Sequence, residues 1–225
     1  MSSPRRLLNE STSDLVHVSD MLGKLDAFVV SFDVSGLTKS KKTILQSFLR
    51  LATAHGYSAV TMRTLASAAG VKPPTIYSHF PGGRDEIVSA ALRWHHHDFS
   101  SAVREGLQGC SSPDQFWHAL IRVHIVQQIT QPENDLWDML VATDRLGGFL
   151  HPDLRKEVDS WLRFCDYLYE SILLDSGHVD ACRKARLLRV CFDGAGNWWS
   201  WDGTAANLEE CVAYATKIAE GIIRS

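Results

Sequence analysis

The chain is 225 residues long, 45% hydrophobic and 22% charged, with 15 glycines and 7 prolines; this suffices for one large core or two small ones and excludes collagen-like, fibrous and disordered classes. Its longest apolar runs, such as residues 27–30, fall far short of the ~20 residues that cross a bilayer, so no membrane partner is expected. The net charge of −3 hides a split: residues 38–93 hold eight bases and two acids, a balance of +6, and the remainder carries −9, as suits a protein that meets a polyanion at one end only.

Residues 1–36 mix Ser, Thr, Asp and Gly around one weakly apolar stretch at 15–32, without strong caps, and read as an extension of uncertain order. Arg5 and Arg6 precede only Leu7 and Leu8 before polar residues resume, so no secretory leader is expected and the location should be cytoplasmic. From Ser40 the pattern sharpens: Ile44, Phe48, Leu51 and Ala52 repeat at i, i+4, i+7 and i+8, and Gly56 closes a helix. Thr61 is placed to cap a short helix that stops at Gly70, a residue suited to a positive-φ turn. Pro73 and Pro74 suit the start of the next short helix, where a missing N–H costs nothing. Pro81-Gly82-Gly83 breaks the chain before a long helix with Ile87, Ala91 and Trp94 on one face. Five more helices are predicted at 113–131, 133–146, 152–176, 179–200 and 205–224. The expected class is all-α with about nine helices.

The five cysteines, at 110, 165, 182, 191 and 211, form no Cys-x-x-Cys pair and read as reduced packing residues. His95-His96-His97 point ~100° apart on a helix and cannot converge on one metal ion. No Gly-x-Ser-x-Gly, phosphate loop, dinucleotide fingerprint or His-Glu-x-x-His is present, so neither catalysis nor a cofactor is expected.

Two short helices joined by a glycine turn inside a +6 segment satisfy the requirements of a helix-turn-helix, in which the first helix braces on phosphate and the second enters the major groove. The run from Thr61 to Phe80, TMRTLASAAGVKPPTIYSHF, closely resembles the signature of the tetracycline-repressor (TetR) family of bacterial transcriptional regulators. The resemblance covers about 50 residues and implies a three-helix reading domain, here 37–83, followed by a helical ligand-binding and dimerisation domain, here 84–225. It also implies that Thr75, Tyr77 and His79 touch the DNA backbone, with Arg63 and Lys72 candidates for bases; the alternative for Tyr77 is to pack within the motif and hold it. Thr61, Pro74 and Ser78 share the same stretch. Lys42, beside Lys39 and Lys41, is placed to reach phosphate or a minor groove, or to form a solvated basic face. Relatives usually carry a lysine three residues after the phenylalanine. Here the turn is one residue longer and Arg84 is the candidate in its place.

In the acidic body the helix at 113–131 is apolar almost all round and should be central. His124, Gln127 and Gln128 within it need partners or a cavity. Together with Trp117 and Leu120, with Trp137, Val141 and Asp144 on the next helix, and with Phe164 and Tyr167 on the one after, they could line a mostly apolar pocket or simply pack. Asn197 and Trp201 belong to the run NWWSWDG, which is similar to the corresponding part of TetR-type regulators of fatty-acid or sterol breakdown, some of which bind acyl-CoA; an aromatic dimer interface gives the same run. The helix at 179–200 is apolar on two sides, one for its own core and one for a second subunit, so the eighth and ninth predicted helices are expected to form a homodimer interface. The expected function is a homodimeric repressor released from a palindromic DNA operator by a small hydrophobic or acyl-CoA-like effector. The rival is a DNA-bound protein that recruits a protein partner and senses no small molecule.

Overall fold

The computed structural model of the protein describes residues 15–32 and 34–224; residues 5–8, which bear on the expectation of no leader, lie outside the described residues. Among these, regular structure is wholly helical: α1 (Val16–Ser31), α2 (Lys39–His55), a 3-10 turn (Tyr57–Ala59), α3 (Met62–Ala68), α4 (Pro73–His79), α5 (Arg84–Gly106), α6 (Pro113–Thr130), α7 (Pro132–Gly147), α8 (Pro152–Asp175), α9 (Ala181–Asp193), α10 (Ala195–Trp198) and α11 (Ala205–Arg224). The all-α class holds. The number of helices is corrected from nine to eleven, and both additions have physical causes.

The first is α1, within the expected extension. No side chain of its own caps it, but Val18, Met21, Leu25 and Val29 form a buried stripe that packs against α8 and α5. Its free N–H groups are capped from elsewhere: Asp175, at the end of α8, accepts from Val18 N at 2.8 Å and His17 N at 3.2 Å. The second is α10. Gly194 interrupts the helix predicted at 179–200, consistent with the low helix propensity of glycine.

Local chemistry explains α2 to α4. Thr38 Oγ1 accepts from Lys41 N at 3.3 Å. Thr61 and Thr64 form a reciprocal capping box, with side-chain to backbone distances of 3.1 and 2.9 Å. Gly70 turns the chain at φ +67°, and Pro73 and Pro74 fill the first turn of α4. One apolar cluster gathers α2, α3, α4 and the start of α5 around Phe48, Tyr57, Ile76 and Phe80, and continues into Trp137 and Leu140 of α7 and Leu154 and Val158 of α8. The other joins α1, α5, α6, α8, α9 and α11 around Trp117, Trp161, Tyr169 and Phe192. The small N-terminal bundle is therefore wedged onto the larger one by α7 and α8, with α5 running through both. No helix among the described residues is long and apolar enough to cross a membrane.

Candidate functional site

The N-terminal bundle turns Leu65, Ala66, Ile76 and Phe80 inward, so the remaining side chains of α3 and α4 must face out. Arg63, Ser67, Lys72, Pro74, Tyr77 and Ser78 are exposed and Thr75 is half-buried. Tyr77 is 51% exposed; packing inside the motif falls instead to Tyr57, whose ring lies 4.2 Å from that of Phe149. An exposed face with two cations and an aromatic hydroxyl can lie against a polyanion.

The other residues expected on this face have internal partners. Thr61 is engaged in the capping box. Ser78 Oγ donates to Thr75 O at 2.8 Å, and His79 Nε2 lies 3.2 Å from Ser40 Oγ, tying α4 to α2. The ammonium group of Lys42 sits 5.0 Å from the centre of the Trp94 ring. Arg84 lies with its guanidinium 4.4 Å from the Tyr57 ring centre and donates to Tyr57 O at 3.4 Å. Burial pushes the Tyr57 hydroxyl up to about 12, against the opposing charge of Arg84, and it donates to Asp85 Oδ1 at 3.2 Å.

A second site lies inside the larger bundle. His124 on α6 is buried between Tyr169, whose hydroxyl is 2.9 Å from Nδ1, and Asp193, whose Oδ1 is 3.1 Å from Nε2. A carboxylate only accepts, so Nε2 carries a proton, and a neutral imidazole then accepts from the Tyr169 hydroxyl at Nδ1. Gln128, one turn on, donates to Asp193 O at 2.7 Å and to Asp138 Oδ2 at 3.1 Å. Arg189 bridges Asp166 and Asp193, donating from Nη1 to Asp193 Oδ2 at 2.6 Å and from Nε to Asp166. These groups surround a chamber of about 40 Å³, which also meets Phe99, Leu120 and Trp161. A cavity of about 280 Å³ adjoins it, walled by Gln46 and Leu49 of α2 and by Trp94, Gln127 and Trp137; His95, Phe99 and Asn134 border both. The larger of the two, at about 280 Å³, lies close to the lower end of small-molecule pockets, about 300 Å³.

Of the side chains expected in a pocket, Leu120, His124 and Gln128 line the chamber and Trp137 the adjoining cavity. Val141 faces a separate cleft with Arg145, Arg163 and Arg186. Asp144 closes the α7–α8 loop, accepting from Leu150 N and Arg155 Nε, both at 2.7 Å. Burial pushes its carboxyl up, but Arg155 and the loop N–H groups outweigh this and hold it below the usual range. Trp117 packs edge-on against Tyr169. Phe164 stacks on Phe28 at 4.3 Å and Tyr167 donates to Asp20, so both face α1. Asn197 and Trp201 lie exposed around α10. Sequence reasoning missed His95, Phe99, Asp138, Trp161, Tyr169, Arg189 and Asp193. The i, i+4 pairs His95/Phe99 and Arg189/Asp193 are the signals that would have found four of them.

The histidine run diverges as helical geometry requires: His96 stacks on Trp161 at 4.4 Å, His97 pairs with Asp98 and His95 faces the cavities. Burial drives His96 well below 6.5 and lowers His95 to about 4, the latter opposed by Asp193 and Asn134. In the unfolded chain both take up protons near pH ~6.5. Between that pH and about 4 the unfolded state thus binds more protons, and stability falls as pH falls by up to ~1.4 kcal/mol per pH unit for each histidine. Urea unfolding should show this slope below pH ~6.5, and His96→Gln should flatten it whatever its effect at neutral pH.

Residues 44–91 match the family model described as bacterial regulatory proteins, tetR family. Solved structures share the fold over most of their length. A TetR-family regulator, PfmR, from Thermus thermophilus is 20% identical, with 81% of this chain and 97% of that one covered and a TM-score of 0.63. A TetR transcription regulator from Haloarcula marismortui is 17% identical, with coverage of 81% and 97% and a TM-score of 0.59. A transcriptional regulator from Saccharomonospora viridis, solved in complex with choline, is 20% identical, with coverage of 81% and 96% and a TM-score of 0.58. No curated protein matches the chain.

Proposed function

We propose that the chain, whose residues 44–91 match the model of the tetR family of bacterial regulatory proteins, is a homodimeric repressor of that kind, which grips a palindromic operator with both copies of α4 and is released by a small molecule held in each body. The observation that carries this reading is the division of α3 and α4 into a filled apolar side and an outward side bearing Arg63, Lys72, Thr75 and Tyr77. Residues 37–83 act as the reading head, and 84–225 as the effector and dimer body. Arg63 and Lys72 serve base edges, and Thr75, Tyr77 and His79 the backbone. Arg84, resting with its guanidinium 4.4 Å from the Tyr57 ring centre, is the candidate for the phosphate contact that relatives make with a lysine.

The dimer forms through α9, α10 and α11. α9 buries Ala185, Leu188 and Phe192 in its own body yet leaves Leu187 53% and Val190 56% exposed, and α11 leaves Tyr214 47% exposed; a second copy's helices cover such side chains in a four-helix bundle. The chamber wall is mostly apolar with a few polar groups, among them His124, Gln128 and Arg189, which suits a small hydrophobic effector oriented by a few hydrogen bonds, and the exposure of Asn197 and Trp201 argues against their belonging to an acyl-CoA pocket. The effector acts only through its different affinity for the DNA-competent and released forms.

Footprinting on DNA flanking the coding region, with light scattering at micromolar concentration, tests the assembly. Two protected half-sites related by a dyad, roughly one DNA turn apart or a little more, and the mass of a dimer are expected. A monomer, or one unsymmetrical footprint, would overturn it.

A further inference from the structure

We propose that α1 is a strap that couples the wall of the effector chamber to the reading head. It lies along α8 and α5 and is fastened at three levels. Asp175 holds its N–H groups, Tyr167 donates to Asp20 at mid-height, and at the lower end Phe28 stacks on Phe164 while Phe32 lies 5.5 Å from His96 and 6.4 Å from Trp161. Trp161 is also a wall of the chamber. Five residues beyond Phe32, Leu37 packs into the core of the reading head, and Thr38 caps α2. Five residues span at most about 17 Å, and the turn in which Leu37 N donates to Val34 O at 3.0 Å shortens the reach further. The link is therefore short.

An effector that repacks Trp161 therefore presses on Phe28 and Phe32 and draws on α2 through this short link. A parallel route exists, because α5 runs unbroken from head to body, so the test must separate the two. The proposal takes its purpose from the head-and-body reading above, but its mechanics require neither DNA nor effector.

Hydrogen exchange is measured on the full chain in four forms: wild type, Phe28→Ala, an insertion of about six Gly/Ser residues between Ser35 and Gly36, sized to remove the tether's constraint, and both changes together. A strap predicts that Phe28→Ala speeds exchange in α2 and α4 roughly fivefold, the low end of coupling between sites, and that the insertion abolishes this while the change in α8 persists. Tyr167→Phe, which deletes one hydrogen bond on the same face, gives a smaller version of that pattern and replaces Phe28→Ala should the latter unfold. Exchange in α2 and α4 that is unmoved, or that moves equally with and without the insertion, overturns the strap. Failure of operator binding would leave either result standing.

Discussion

Arg189→Met is expected to lower the unfolding free energy by about 3–5 kcal/mol, the cost of leaving buried charge without its partner. Arg189 is only 8% exposed and is the cation shared by Asp166 and Asp193. Removing it leaves Asp193 with His124, and Asp166 with the exposed Arg186 at 3.3 Å. The deficit has a pH signature. A buried carboxylate that loses its cation has its pKa raised, so the folded variant takes up a proton at a pH where the unfolded chain does not. The loss should therefore be greatest at pH 7 and shrink as pH falls towards 5, compared with wild type at each pH. A urea midpoint displaced by less than the equivalent of about 1 kcal/mol, the range of exposed ion pairs, would show that the network is solvated and the chamber is not closed by it.

The second large effect concerns the reading head. Arg63→Ala and Lys72→Ala should each weaken operator binding by about 1–3 kcal/mol if the side chain reads a base edge. A substitution that instead deletes a phosphate contact should lower affinity for all sequences and reduce the salt slope by about one. Both side chains are exposed and outside the apolar cluster, so thermal stability should stay within about 0.5 kcal/mol of wild type. Thr61→Ala separates cap from contact. It removes half of a capping box and should weaken binding through a loss of about 1 kcal/mol of stability. Unchanged affinity and sequence preference in both Arg63→Ala and Lys72→Ala would move the reading surface away from α3 and α4.

What the sequence revealed depended on how local the causes were. α2, α3 and α4 were legible because Gly56, Thr61, Gly70 and the two prolines act within a turn of where they stand. α1 was not, because its cap is a carboxylate 158 residues away from His17. Its stripe at Val18, Met21, Leu25 and Val29 was present in the sequence, but without a local start signal the segment read as an extension. The same omission misdirected Phe164 and Tyr167: from the sequence they are candidates to line a pocket or pack with the helices at 113–131 and 133–146, but the neighbour they meet is α1. Leu120, His124 and Gln128 fall on one face of α6 by spacing alone. That Tyr169 and Asp193 meet His124 depends on three helices packing together, which spacing along one helix does not encode.

The account's central claim is that the outward side of α3 and α4 reads DNA, and it is tested most directly by the affinity of the intact protein for DNA from around its own coding region and for a scrambled fragment, across a salt series. The account predicts specific binding at least roughly 1000-fold tighter than to the scrambled fragment at physiological salt, with affinity falling steeply as salt rises. Equal, weak binding to both fragments at every salt concentration would contradict it.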